Sequence, residues 1–120
     1  MNFKNYLIVI GVTLSHLVFA QNINVTSPNG GERIDSCSPY TISWQSSGTS
    51  DYYNIYYSSD NGVNWVSIAS SLSTLQKTFS WDVPNLSTVN GLVKVTDAQD
   101  ESISDVSDSV FIIDGSLILL

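Results

Sequence analysis

From residue 22 onward, apolar side chains recur at every second position in short runs, and clusters of Ser, Gly, Asn, Asp and Pro separate the runs. A two-residue period is what a strand with one buried face requires, and nothing in residues 21–113 repeats at helical spacing. Ile23 and Val25 open the series. The second run sets Tyr40, Ile42 and Trp44 on one face and Thr41, Ser43 and Gln45 on the other. In the third, Tyr53, Ile55 and Tyr57 share a face opposite Tyr52, Asn54 and Tyr56. Residues 65–69 and 78–81 supply the fourth and fifth, the latter closed by Pro84, which cannot donate to a ladder. Leu92, Val93 and Val95 mark the sixth, and residues 110–113 the seventh. Seven such runs predict an all-β, antiparallel immunoglobulin/fibronectin III-like β-sandwich of about seven strands, with a barrel as the alternative. Trp44, Trp65 and Trp81 are expected to fill the space between the sheets. The competing role for a tryptophan is an aromatic ligand platform, for which Trp65, beside a turn, is best placed.

That turn is Ser58-Ser59-Asp60-Asn61-Gly62-Val63-Asn64-Trp65, and Asp-Asn-Gly tolerates the positive φ a tight reversal needs. It predicts a β-hairpin between the third and fourth runs. Ser58, Asp60, Gly62 and Trp65 also fit the sialidase-type Asp-box pattern, with Asn64 where threonine is more usual. In that pattern the aspartate caps the turn and the tryptophan packs beneath it, so Asp60 and Gly62 are read as structural.

Ahead of the runs, Lys4, the apolar stretch 6–19 and Ala20 have the three parts of a secretory signal peptide, with cleavage expected after Ala20. The stretch is shorter than the roughly 20 residues of a spanning helix. The expected organisation is a signal peptide at 1–20, one domain at 21–114, and a linker or truncated tail at 115–120. The expected location is secreted, extracellular or in the cell envelope.

Residues 21–120 keep three basic residues, Arg33, Lys77 and Lys94, and all 11 acidic ones, a formal charge of −8. Phosphate neutralisation needs clustered cations, so nucleic acid is excluded as a partner, and adhesion to anionic lipid is disfavoured. The single histidine, His16, leaves with the leader, so the expected mature domain has no imidazole base or His ligand. A glycosidase needs two acids flanking a cleft, whereas Glu32, Asp35, Asp51, Asp60 and Asp82 lie in turn-like settings. No enzyme activity and no cofactor are expected. Asp97, Asp100, Glu101, Asp105 and Asp108 crowd one connection, read as a solvated acidic loop with weak calcium binding as the alternative. Cys37, alone in the chain, is read as a small, partly buried apolar side chain, with an intermolecular bridge as the alternative. Asn24 and Asn85 stand in glycosylation acceptor patterns.

Five segments in order carry a resemblance: Val25-Thr26-Ser27-Pro28-Asn29-Gly30-Gly31-Glu32, Tyr40-Thr41-Ile42-Ser43-Trp44-Gln45-Ser46-Ser47-Gly48, the hairpin, Ser80-Trp81-Asp82-Val83-Pro84, and Val93-Lys94-Val95-Thr96-Asp97. Together they resemble the Ser-Thr-rich domain near the N-terminus of yeast Kre/Knh cell-wall proteins, a module also found in secreted bacterial proteins of the Bacteroidetes kind. The resemblance spans residues 23–113. It implies an immunoglobulin-like, non-catalytic extracellular module, linked in yeast relatives to β-glucan assembly, with neighbouring domains or extracellular polysaccharide as partners. Bacterial relatives hold a second cysteine where this chain has Gly91, so Cys37 lacks the partner the resemblance implies. If the domain binds cell-wall glycan, Tyr52 and Tyr56 on the solvent side, with Trp65, are the residues expected to stack on sugar.

Overall fold

A computed structural model describes residues 20–115. The expected leader, up to residue 19, and residues 116–120 of the expected tail lie outside the described residues. Nine strands and no helix make up the described chain: β1 (Asn22–Ser27), β2 (Arg33–Asp35), β3 (Pro39–Ser47), β4 (Tyr52–Ser58), β5 (Val66–Ser73), β6 (Thr78–Asp82), β7 (Thr88–Asp97), β8 (Ser104–Val106) and β9 (Phe111–Asp114). All seven alternating runs become strands. The two additions, β2 and β8, are three residues each.

A three-stranded sheet has the order β1-β3-β6, and a six-stranded sheet the order β2-β9-β7-β4-β5, with β8 joined to β7. The alternation fixes what each strand turns inward. Val25, Ile42, Trp44 and Trp81 come from the first sheet and Tyr53, Ile55, Val93, Val95, Phe111 and Ile113 from the second, all buried in one cluster. Burying each such side chain contributes about 1.5–3 kcal/mol. Rings bridge the sheets: Trp44 meets Tyr53 edge-on at 5.0 Å, and Trp81 lies 5.3 Å from Tyr57 and 6.5 Å from Phe111.

One side of the stack is fastened by polar ties. The Val25 N–H donates to Asp105 Oδ2 at 2.8 Å, joining β1 to β8, and the Ser107 hydroxyl donates to the Pro28 carbonyl at 2.7 Å. Glu32 turns the chain between β1 and β2, its carboxylate accepting the N–H groups of Asn29 and Gly30 at 2.7 Å each. Arg33 and Asp114 then pair at 2.7 Å across β2 and β9.

Several expectations change. The sheets are not wholly antiparallel, because β2 runs parallel to β9 from Arg33↔Ile112 to Asp35↔Asp114. The fourth run, expected over 65–69, begins at Val66 and continues as strand through the serine-rich segment to Ser73. Cys37 is exposed rather than partly buried: it sits at a turn with φ 58°, its N–H bonded to the Val83 carbonyl. Trp65 is half-buried and stands apart from the core that holds Trp44 and Trp81. Gly91 faces the Phe111 ring, where a Cβ would lie 2.5 Å from Cε2, so this chain has no room there for a cysteine. No described helix is long and apolar enough to cross a membrane.

Candidate functional site

β4 decides where the aromatic candidates go. Tyr53 and Ile55 point into the core with no exposure, so Tyr52, Asn54 and Tyr56 must face outward. Tyr52 is 44% exposed and Tyr56 half-buried. Tyr56 pairs across the ladder with Lys94 of β7, and Asn54 with Thr96. Register therefore brings a cation to a tyrosine that sequence reasoning chose without it.

The hairpin adds the third ring. Gly62 takes φ 86° and Asn61 φ 60°, the reversal that Asn-Gly allows. The Ser58 hydroxyl donates to Asp60 Oδ1 at 2.7 Å and accepts the Gly62 N–H at 2.9 Å. Asp60 Oδ1 accepts the Asn64 N–H at 2.8 Å, and Oδ2 accepts the Asn64 side-chain amide at 2.7 Å. Asn64, the departure from the usual pattern, thus supplies an extra bond. These donors, the Asn64 N–H first, its amide next and the Ser58 hydroxyl after, hold the Asp60 carboxyl below the usual carboxylate range. A Cβ on Gly62 would lie 3.6 Å from both Trp65 Cζ2 and Leu92 Cδ1, so the indole is folded over the turn and the start of β7.

Folded there, Trp65 meets Tyr56 through Lys94. The ammonium lies 4.4 Å from the Trp65 ring centroid and 4.9 Å from that of Tyr56. Such contacts contribute about 0.5–1 kcal/mol at exposed sites. Glu101 completes the patch: its Oε1 accepts from the Tyr56 hydroxyl at 2.6 Å and the Asn54 amide at 2.8 Å. Tyr56, then Asn54, hold the Glu101 carboxyl low, and the same bond, with burial, raises the Tyr56 phenol. Tyr56 and Trp65 thus share one site, while Tyr52 stands two outward positions along β4, about 13 Å from Tyr56 at strand rise.

Lys94, Glu101 and Asn54 escape sequence reasoning as site residues because only the register joins them. Alternation against Val93 and Val95 does place Lys94 outward, and that is the one signal that could have found it.

The acidic connection is occupied internally. Asp97, buried, accepts the hydroxyl and N–H of Ser50 and the N–H of Gln99; burial pushes its carboxyl up, but these donors outweigh it and leave it low. Asp100 accepts from Ser102, Asp105 from Val25, and Asp108 from Asn29. Among the described residues no group of three or more His, Cys, Asp or Glu is arranged to hold a metal.

A cleft of about 260 Å³ opens on another side, lined by Tyr57 of β4, Ile68 of β5, Phe79 and Trp81 of β6, and Pro84, with polar Ser80 and Asp82 beside them. No family model, curated protein or solved structure matches the chain.

Proposed function

We propose that this chain is a non-catalytic extracellular module with an immunoglobulin-like β-sandwich, serving as a spacer or adhesion unit in the cell envelope or a secreted protein. The strand order supports the fold reading: β1-β3-β6 corresponds to strands A-B-E of that fold, and β9-β7-β4-β5 to G-F-C-C′. The five segments resembling the Kre/Knh-type domain, and the leader-like N-terminus, support the location.

One observation carries the non-catalytic reading. Asp60 and Asp97 tie down turns and Glu101 holds the outward side chains of β4, each carboxylate taken up by several hydrogen-bond donors, so these three read as anchors of the fold. Incubation with a panel of polysaccharides should release no reducing ends. Hydrolysis lost in Asp60→Asn or Glu101→Gln without loss of stability would make it an enzyme instead.

The outward row of Tyr52, Asn54 and Tyr56 beside Trp65 favours a second reading, a carbohydrate-binding module. Tyr52 offers the most open ring, since the Tyr56 and Trp65 faces already hold Lys94. On a glycan array this reading expects binding that Tyr52→Ala/Tyr56→Ala abolishes with only a small loss of melting temperature, from the lost Tyr56 contacts to Lys94 and Glu101. Absence of any bound glycan leaves the spacer role.

A further inference from the structure

The ladder between β3 and β6 shows which main-chain groups of β6 are already paired. The Trp44 N–H donates to the Lys77 carbonyl and the Val83 N–H to the Ser38 carbonyl, both at 3.1 Å. In an antiparallel ladder such bonded partners recur at every second residue, and the register from Pro39↔Asp82 to Ser43↔Thr78 runs without a shift. Lys77, Phe79, Trp81 and Val83 therefore turn their N–H and carbonyl groups toward β3. Thr78, Ser80 and Asp82 turn theirs to the outer edge, where the smaller sheet has no further strand to receive them. Ser80 and Asp82, the polar lining of the cleft, are two of these residues.

The other strand edges are guarded. β1 gives its Val25 N–H to Asp105 of β8, and β2 is three residues long and carries Arg33 and Asp35. β5 breaks register twice against β4, with Ser71 at φ 50° and its N–H turned back to the Asn54 side chain at 2.8 Å. β6 is regular throughout, and its sequence is its own complement. We infer that β6 pairs antiparallel with the β6 of a second copy, about a twofold axis through Ser80, which joins the two three-stranded sheets into one.

That register sets Thr78 opposite the partner's Asp82 and Ser80 opposite the partner's Ser80, each pair exchanging the N–H and carbonyl groups that one copy leaves free. On the exposed face a hydroxyl meets a carboxylate, and the smallest side chain of the strand lies on the axis. On the inward face Phe79 lies opposite the partner's Trp81 in the closer, non-hydrogen-bonded type of pair, and the half-buried rings at the cleft lose water to the join. Charge allows it: the two Asp82 carboxylates stand about 14 Å apart along the ladder, beyond the roughly 10 Å Debye length at 0.1 M salt. Sliding the axis to Asp82 sets those carboxylates against each other, and Pro84, with no N–H, ends the ladder. The match of Thr78 with Asp82 and of Phe79 with Trp81 is what selects a second copy over an unrelated extended strand.

Sedimentation velocity over a range of protein concentrations, with reductant present to keep Cys37 from bridging, should show a reversible dimer. Amide exchange supplies a signature of the edge used. In dilute protein the N–H groups of Phe79 and Trp81 are protected and those of Thr78, Ser80 and Asp82 are not, and the latter gain at least tenfold protection as dimer forms. Ser80→Asp places two carboxylates on the axis and should raise the dimer Kd at least tenfold with the monomer's melting temperature little changed. In a Cys37→Ser background, Ser80→Cys should oxidise to a linked dimer faster than Ser67→Cys on β5, because Cα atoms about 5.5 Å apart in a bonded pair lie within disulfide reach. A monomer at every concentration would overturn the proposal. So would a dimer indifferent to Ser80→Asp, equal cross-linking at both cysteine positions, or Thr78, Ser80 and Asp82 amides already protected in the monomer.

Discussion

At the scale of single residues, the hairpin turn depends on a division of labour that its pattern only partly reveals. Gly62 and Asp60 are legible because positive φ and short acceptors have few residue solutions. That the Ser58 hydroxyl, not the carboxylate, receives the Gly62 N–H is invisible without coordinates, since either oxygen could serve. Gly62→Val should destabilise the domain by more than about 1 kcal/mol, because a β-branched residue resists φ 86°. Asp60→Asn should be milder, as its amide oxygen still accepts the Asn64 N–H. Urea midpoints of the two variants check the order. Cys37 misleads for the opposite reason: its small apolar side chain fits a core, although Asp35-Ser36 and Ser38-Pro39 around it already mark the turn that exposes it.

For whole strands, alternation is a sufficient signal where one face is buried, and every such run appears as a strand. β2 and β8 escape it. Arg33-Ile34-Asp35 offers one apolar side chain, and its partner β9 lies some 80 residues further along the chain. Ser104-Asp105-Val106 has no alternating core residue and is held by pairing with β7 and by the Asp105–Val25 bond. Long-range pairing is where sequence patterning stops. The same limit hides the Tyr56–Lys94–Trp65 patch, because each member's face is readable but their register is not. Tyr40 and Ile42 alone place Trp44 inward, and the residue is 3% exposed, its ring against Tyr53. Trp44→Ala should therefore cost about 3–5 kcal/mol in chemical denaturation.

Across the whole molecule, acidity and architecture are linked. Asp60, Asp97 and Glu101 are held below their ordinary values, so each adds stability above its unfolded pKa of about 3.9–4.3. That contribution falls away as pH drops through the lower folded values. Denaturation midpoints should thus hold from neutrality to about pH 5 and decline below about pH 4, with Asp97→Asn flattening the decline. The ties that fasten one side of the stack have a separate consequence, for the order in which the fold can be made. Val25 meets Asp105, Asn29 meets Asp108 and Arg33 meets Asp114, separations of 80, 79 and 81 residues. The first strand synthesised is therefore fastened by the last ones, and high contact order makes such closure slow. A chain stopped after residue 103 lacks β8 and β9, and its amide spectrum should show the narrow dispersion of an unfolded polypeptide. Until those strands arrive, the nascent polypeptide stays open and threadable.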